Sequence, residues 1–247
     1  MMPLRYLFVG VLAVATSSFA CGFGCEKSNP DGTVTRYPPD ATSARPAGIP
    51  DQPTSAPAKA AADSRPRVVF LGDSLTAGLG LSPDQAYPML LQQKADADGL
   101  SFHVVNAGVS GDTSAGGLSR LDWALEGDVR VMVVALGGND ALRGLPVEEL
   151  RKNLTTIIER AQARKVRVIL AGMEAPPNFG QSYTDGFRRV YTDLAAQYKV
   201  PLIPFLLQGV AGIERLNQRD GIHPTAEGAR MVADNVWTVL HPMLKTP

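Results

Sequence analysis

The run from Val129 to Leu136 constrains the fold of this chain more than any other stretch of its sequence. It reads Val-Arg-Val-Met-Val-Val-Ala-Leu, which is apolar and rich in β-branched residues except at Arg130. A strand with one face in water alternates apolar and polar residues, whereas a strand buried on both faces does not. The run therefore predicts a central strand in a sheet that helices cover on both sides.

Strand and helix patterns alternate along the rest of the chain from about residue 67 onward. Four further short apolar runs predict strands at 67–71, 103–106, 166–171 and 200–205. Helical patterns lie between and after the strands, at 83–97, 114–125, 146–164, 185–198 and 225–240. This order predicts an α/β fold with a mostly parallel, five-stranded central sheet. Prolines interrupt the fifth strand, which we therefore expect near an edge.

The 247 residues divide into three parts. Residues 1–20 are typical of an export signal, with Arg5 before an apolar run and small residues at positions 18 and 20. Residues 21–65 are rich in Pro, Ala and Ser without apolar periodicity, which predicts a disordered tether. Residues 66–247 have the length and pattern of one folded domain.

Cys21 and Cys25 are the only cysteines, so the predicted domain contains no disulfide. Cys21 directly follows Ser-Phe-Ala, which fits a permissive bacterial lipobox in which the cysteine carries a lipid anchor. Ordinary signal cleavage beside an incidental thiol is the alternative, because the usual leucine three positions earlier is absent. Cys25 fits a lipobox less well. The sequence leaves open which sorting route is taken.

Composition and motif spacing argue against several classes of function. Lys and Arg number 24 and Asp and Glu also 24, without a basic stripe, so we expect no nucleic-acid partner. Neither paired cysteines nor a His-x-x-x-His spacing points to a metal. No dinucleotide fingerprint and no Walker sequence is present. We therefore predict no cofactor and no metal, and the oligomeric state is not predictable.

Three candidate site residues follow predicted strands. Ser74 follows the first strand, Gly111 the second and Asn139 the central one. Parallel sheets bind ligands at the carboxyl ends of their strands, so we expect these residues to meet. Ser74 could be a nucleophile, and the Gly111 N–H and the Asn139 amide could stabilise an oxyanion. The alternatives are a helix cap or turn for Ser74, a turn for Gly111 and a capping role for Asn139.

Asp220 and His223 lie together in the loop before the last helix. The other two histidines, His103 and His241, fall on a strand and near the C-terminus. At this spacing Asp220 can accept from the imidazole Nδ1–H and leave Nε2 facing a serine. The alternative is a loop pair that satisfies backbone groups. Together with Ser74, the pair predicts a catalytic triad for acyl transfer.

These motifs resemble the SGNH (GDSL-type) hydrolase superfamily, and within it the bacterial multifunctional thioesterase I, lysophospholipase and arylesterase group. The matching stretches are 71–78, 106–114, 136–144, 177–180 and 220–224. The resemblance implies a flavodoxin-like three-layer α/β/α sandwich. It also implies cofactor-free hydrolysis of esters and thioesters by Ser74, His223 and Asp220, with the Ser74 N–H as a third oxyanion donor beside Gly111 and Asn139.

We expect an exported, periplasmic or secreted enzyme whose substrates are acyl esters, thioesters or lysophospholipids. Two alternatives remain at this point. One is a carbohydrate O-acetylesterase of the same superfamily, with a small acyl pocket. The other is a non-catalytic binding domain anchored to an envelope. Six apolar side chains favour a longer acyl or aryl group, because they could line a groove: Leu79, Leu81, Leu142, Leu145, Phe179 and Ile213.

Overall fold

A computed structural model of the protein describes residues 63–245. The predicted signal, Cys21, Cys25 and all but the last three residues of the predicted tether lie outside the described residues. Asp63, within those three, contacts the Nδ1 atom of His103 at 2.9 Å. The first described residue therefore contacts the first residue of the second strand.

A five-stranded, entirely parallel sheet forms the centre of the domain, in the order β2-β1-β3-β4-β5. The strands are β1 (Arg67–Gly72), β2 (His103–Gly108), β3 (Val129–Ala135), β4 (Arg167–Ala171) and β5 (Leu202–Ile203). The α/β fold with a parallel sheet is confirmed. The strand predicted from the apolar run 129–136 is β3, the middle strand of the sheet, and all its residues except Arg130 are buried.

Helices cover the two faces of the sheet. They are α1 (Ser74–Ala77), α2 (Tyr87–Ala97), α3 (Ser114–Ser119), α4 (Leu121–Ala124), α5 (Gly138–Leu142), α6 (Val147–Ala163), α7 (Gln181–Tyr198) and α8 (Ala226–Leu244). One layer contains α2 and α8, which pack on each other. In the other layer α6 packs between α3 and α7. The result is the three-layer arrangement that the resemblance implies.

The fifth strand is shorter than the sequence predicts. Only Leu202 and Ile203 pair with β4, instead of 200–205. Pro201 and Pro204 flank the pair, and a proline has no N–H to donate to a neighbouring strand. The expected position of β5 at an edge of the sheet is confirmed.

The helix predicted over 114–125 is two helices, because the chain leaves helical geometry at Arg120. The predicted helix over 83–97 is also interrupted, since Pro83–Gln85 form a 3-10 turn before α2. At the other ends, α7 begins at Gln181, before the predicted start, and α8 continues to Leu244, past the predicted end. The short helices α1 and α5 lack enough periodicity for sequence patterns to predict them.

Helix α1 packs unusually close to the sheet. A Cβ added at Gly108 would lie 2.2 Å from the backbone nitrogen of Ala77 and 2.7 Å from the carbonyl carbon of Thr76. Only glycine allows backbone segments to approach in this way. Gly108 therefore fixes how deeply α1 sits against β2, and with it the position of the first residue of α1, Ser74.

Within the described residues, no helix combines the length and the apolar character that crossing a membrane requires.

Gly108→Ala is expected to destabilise the fold by about 1–3 kcal/mol, because the new methyl group overlaps backbone that cannot rotate away. Gly186→Ala is the matched control. Gly186 lies within α7, and its added Cβ would meet only the Val147 methyl groups at 4.0 Å. This control should gain about 0.5–1 kcal/mol from the helix preference of alanine. Urea denaturation of both variants checks the prediction, and equal stabilities would contradict it.

Candidate active site

Ser74 is the first residue of α1, directly after the turn that ends β1. The residue that caps this helix is Asp73, whose carboxylate accepts from the Leu75 N–H at 3.0 Å. Ser74 is therefore not the N-cap of α1, which was the alternative role that its sequence position allowed. It lies at the carboxyl end of the sheet, as predicted.

A chain of hydrogen bonds joins Ser74, His223 and Asp220. The Ser74 Oγ lies 2.9 Å from His223 Nε2, and His223 Nδ1 lies 2.7 Å from Asp220 Oδ2. With the imidazole proton on Nδ1, Asp220 accepts that proton's bond and Nε2 accepts from the serine hydroxyl. The structure thus brings together residues 149 positions apart in the geometry of a serine hydrolase triad.

Asp220 is held as a carboxylate by its own loop. Its Oδ1 accepts from the N–H groups of His223 at 3.0 Å and Ile222 at 2.9 Å. These two backbone bonds, followed by the bond from the imidazole, lower the pKa of Asp220 to about 2. The carboxylate therefore stays charged at neutral pH and orients the imidazole throughout.

The proposed oxyanion donors follow two other strands of the sheet. Gly111 follows β2 and has a φ of +86°, a conformation that favours glycine. Space is not the constraint, since an added Cβ would meet only Arg143 Nη2, at 3.9 Å. Within residues 63–245, neither the Gly111 N–H nor the Ser74 N–H donates to a protein acceptor. Both are available to an incoming oxygen.

Asn139 lies in the first turn of α5. Its Nδ2 is 3.0 Å from the Asp112 carbonyl oxygen and 3.4 Å from Asp73 Oδ2. The first contact fixes the amide. The second is long for a hydrogen bond, so Asp73 competes only weakly with an oxyanion for that N–H.

Buried polar contacts hold α3 against α5. Asp140 accepts from the Ser114 N–H at 2.8 Å and from the Ser114 hydroxyl at 2.5 Å. Asn153 of α6 donates to the same hydroxyl at 3.0 Å. Because Ser114 follows the Gly111 loop and Asp140 follows Asn139, these bonds fix the Gly111 loop and Asn139 relative to each other.

The His223 loop is attached to the segment after α1 through Gln218. The Gln218 side chain donates to the Leu79 carbonyl at 2.7 Å and to the Pro224 carbonyl at 2.9 Å. Its backbone N–H donates to the His223 carbonyl at 2.7 Å. These contacts attach the His223 loop to the segment that directly follows the Ser74 helix.

Asp73 is almost fully buried, with 2% of its surface exposed. Burial raises its pKa to about 6, although the Leu75 N–H, His223 and Asn139 oppose that change. A buried carboxylate is costly to keep charged. Asp73 is therefore a buried ionisable group adjacent in sequence to Ser74.

A groove of about 460 Å³ opens beside Ser74 and His223. Most of its wall is apolar: Leu75, Leu142, Met173, Ala175, Pro176, Pro177, Phe205, Leu207, Ala211 and Ile222. Of the six apolar side chains expected to line a groove, only Leu142 does so. Leu79 and Leu81 line a much smaller recess beside Ser74, while Leu145, Phe179 and Ile213 line neither. The segments that follow β4 and β5 form most of the apolar wall instead, because the sheet order places β4 next to β3, the strand before Asn139.

Sequence reasoning missed Asp73, Asp140 and Gln218 as contributors to this site. Asp73 carried a signal, since aspartate is a preferred N-cap before a short helix. Asp140 and Gln218 carried none, because their partners lie 26 and 139 positions away. All five predicted site residues, Ser74, Gly111, Asn139, Asp220 and His223, lie at this one end of the sheet.

Comparison with known proteins finds a matching family, two similar curated proteins and a similar solved structure. The profile of the GDSL-like Lipase/Acylhydrolase family matches residues 70–231. Esterase TesA of Pseudomonas aeruginosa is 44% identical over 178 residues, covering 72% of this chain and 89% of that protein. Thioesterase 1/protease 1/lysophospholipase L1 of Escherichia coli (strain K12) is 37% identical over 186 residues, covering 75% and 86%. The crystal structure of AlinE4, an SGNH-hydrolase family esterase, is 39% identical with a TM-score of 0.61, covering 74% of this chain and 98% of that one.

Asp73→Asn is expected to gain stability relative to the wild type as pH rises. Because the pKa of Asp73 is raised from 3.8 to about 6, the folded protein holds this proton more tightly than the unfolded chain does. The wild type therefore loses stability as pH rises through that window, whereas asparagine has no proton to lose. The relative gain should be on the order of 3 kcal/mol between about pH 4 and about pH 7.

Urea denaturation of both proteins across this pH range measures the difference. The exposed Asp84, changed to asparagine, controls for loss of one negative charge. A wild-type-to-variant difference that is constant with pH would show that Asp73 titrates as an ordinary carboxyl.

Proposed function

Because the chain belongs to the GDSL-like lipase/acylhydrolase family, we propose that it cleaves carboxylic ester and thioester bonds through an acyl-enzyme formed on Ser74. One observation carries the assignment of residues: the hydrogen-bonded chain from Ser74 through His223 to Asp220, beside an apolar groove. A serine hydroxyl is a weak nucleophile until a neighbouring base takes its proton.

In the first half of the reaction, Ser74 Oγ attacks the acyl carbonyl carbon while His223 Nε2 takes the hydroxyl proton. The contact of 2.9 Å is within reach for this transfer. The imidazolium that forms lies 2.7 Å from the Asp220 carboxylate, which stabilises the positive charge. His223 then gives the proton to the leaving alcohol or thiol as the carbon–heteroatom bond breaks.

The carbonyl oxygen gains negative charge during this attack. The Ser74 N–H, the Gly111 N–H and the Asn139 amide are the donors that stabilise it. Fixed donors cost no reorganisation at the moment of reaction, which makes them worth more than water at the same place. In the second half, His223 takes a proton from water as the water oxygen attacks the acyl carbon, and the same donors hold the second oxyanion. His223 then returns the proton to Ser74 Oγ as the bond between the acyl carbon and Oγ breaks, which releases the carboxylic acid.

The groove favours acyl or aryl groups longer than acetyl. Its apolar wall gains free energy for each methylene that leaves water, about 0.8 kcal/mol when fully buried. The names of the relatives above, an esterase and a thioesterase and lysophospholipase, support hydrolysis of esters and thioesters. A carbohydrate O-acetylesterase would need little of this apolar wall, and a non-catalytic binding domain would need no triad.

Ser74→Ala is expected to fold normally and lose nearly all turnover of p-nitrophenyl esters, because no other group in the triad forms the acyl-enzyme. The control is Ser119→Ala, an exposed serine whose hydroxyl donates to the Gly116 carbonyl. The wild type should show kcat/KM rising from acetate to longer acyl chains. Retained turnover in Ser74→Ala would refute the assigned nucleophile, and a preference for acetate would favour the O-acetylesterase.

The same assay distinguishes the two partners of Ser74. His223→Ala should lose more turnover than Asp220→Asn, since Asp220 orients and stabilises the imidazole but does not carry the proton. A larger loss of turnover in Asp220→Asn than in His223→Ala would show that His223 is not the base.

We propose further that the protein is exported to the periplasm or secreted, with Cys21 as a candidate site for a lipid anchor. The proposal rests on the sequence of residues 1–21. The described chain enters the domain at the amino end of β1, beside His103, whereas Ser74 lies at the carboxyl end. Since six residues of strand span about 20 Å, the start of the described chain and the groove lie at opposite ends of β1.

Cys21→Ser should move the full-length protein from the membrane fraction to the soluble fraction of cells that process lipoproteins. Mass spectrometry of the mature wild-type N-terminus should show a lipid-modified Cys21, with Cys25→Ser as the control. An unmodified mature N-terminus in a soluble wild-type protein would contradict the lipid anchor but not the proposed export.

A further inference from the structure

Arg120 is a largely buried cation for which the mechanism above has no use. Its side chain is 17% exposed, although arginine usually keeps its charge in water. It occupies the break between α3 and α4, where sequence patterns predict continuous helix. The groups that the guanidinium contacts therefore indicate what this buried charge does.

The guanidinium contacts two segments of the site at once. Nε donates to Asp112 Oδ2 at 2.6 Å, and Nη2 donates to the Gly72 carbonyl at 2.8 Å. Asp112 directly follows Gly111, and Gly72 is two residues before Ser74. The partner carboxylate is 18% exposed, so water screens this pair only weakly.

The third oxyanion donor is attached to the same contact. The carbonyl oxygen of Asp112 accepts from Asn139 Nδ2 at 3.0 Å. A shift of Asp112 would therefore move the Gly111 N–H and release the Asn139 amide together. Arg120 thus joins the segments that carry the Ser74 N–H, the Gly111 N–H and the Asn139 amide.

We infer that Arg120 is a positioning residue for the oxyanion hole, which it holds by bridging the Gly72 carbonyl and the Asp112 carboxylate. The inference rests on the proposed roles of Ser74, Gly111 and Asn139. It assigns Arg120 no contact with the substrate. Its effect is to fix three donors at the separation that the developing oxyanion requires.

A guanidinium suits this role because its N–H donors lie in a rigid plane and point in fixed directions. A lysine ammonium is a single point charge on a flexible stem, so it can keep the contact with Asp112 but does not reproduce the planar bridge to Gly72. The Arg120→Lys substitution thus retains the charge and removes the geometry.

Stability alone does not account for the arrangement. Arg120 Nη1 is buried and, within the part of the chain that the structure describes, makes no hydrogen bond. An unpaired buried donor costs free energy, and buried ion pairs often contribute little to stability compared with apolar side chains of similar size. Within the described residues, the two hydrogen bonds that the Arg120 guanidinium does make both end at segments of the proposed oxyanion hole.

The test compares Arg120→Lys with the wild type, using p-nitrophenyl butyrate hydrolysis and inhibition by a boronic acid that adds to Ser74. We expect kcat to fall by about 10- to 100-fold with KM within about threefold, because misplaced donors act on the transition state rather than on the bound substrate. The boronic acid, whose tetrahedral adduct occupies the oxyanion hole, should bind more weakly by a similar factor.

Arg151→Lys is the control, since Arg151 forms an ion pair with Asp193 on the α6–α7 surface, away from the site. It should change neither kcat nor boronic acid affinity. Arg120→Met provides a second variant, and thermal unfolding of each protein gives the folded fraction used to correct kcat. A fall in corrected kcat with both Arg120 variants supports the inference.

An unchanged corrected kcat in Arg120→Lys would overturn it, as would a loss expressed only in KM. These results differ from failure of the proposed function itself, which would appear as retained turnover in Ser74→Ala. If Ser74→Ala is inactive and Arg120→Lys has normal kcat, the triad stands and only the positioning role of Arg120 is wrong.

Discussion

The parallel pairing of β1 with β2 on one side and β3 on the other is the constraint on which the site depends. The register places Gly72 opposite both Gly108 and Ala135. Each strand therefore ends at the same level, and the residues that follow converge within a few positions. Parallel strands bring their carboxyl ends to one edge, so a nucleophile and its oxyanion donors can come from separate parts of the sequence.

Convergence alone does not give the precision that catalysis needs. The loops after the strands are held by a second set of polar contacts, centred on Asp73, Asp140 and the pair of Arg120 with Asp112. These groups are buried or nearly so, and burying charge costs stability unless each charge is well paired. The raised pKa of Asp73 is one sign of that cost. The domain offsets it with an apolar core that runs through the sheet and both helix layers.

The chemistry and the substrate preference come from different parts of the fold. The proposed nucleophile and oxyanion donors follow β1, β2 and β3, whereas much of the apolar groove wall comes from the segments after β4 and β5. The His223 loop joins the two parts, and Gln218 attaches it to the segment after α1. Changes in the β4 and β5 segments can therefore alter which acyl group binds while the hydrogen-bonded triad stays in place.

Much of this protein was determined by local sequence. The central strand at Val129–Ala135, the parallel α/β fold and the five predicted site residues were all expected, because burial on both faces and strand-end motifs leave local patterns. The catalytic roles of those five residues stay a prediction, although the structure places them together. The export signal, the tether and the state of Cys21 also stay predictions.

Tertiary structure decided what no local pattern records. It ended helix α3 at Arg120, limited β5 to Leu202–Ile203 and moved the groove away from most of the apolar side chains expected there. It also joined Arg120 to Gly72, 48 positions away, and Gln218 to Leu79, 139 positions away. Local propensity extends over a few residues, whereas a side chain's bonding partner is set by which loops the sheet order brings together.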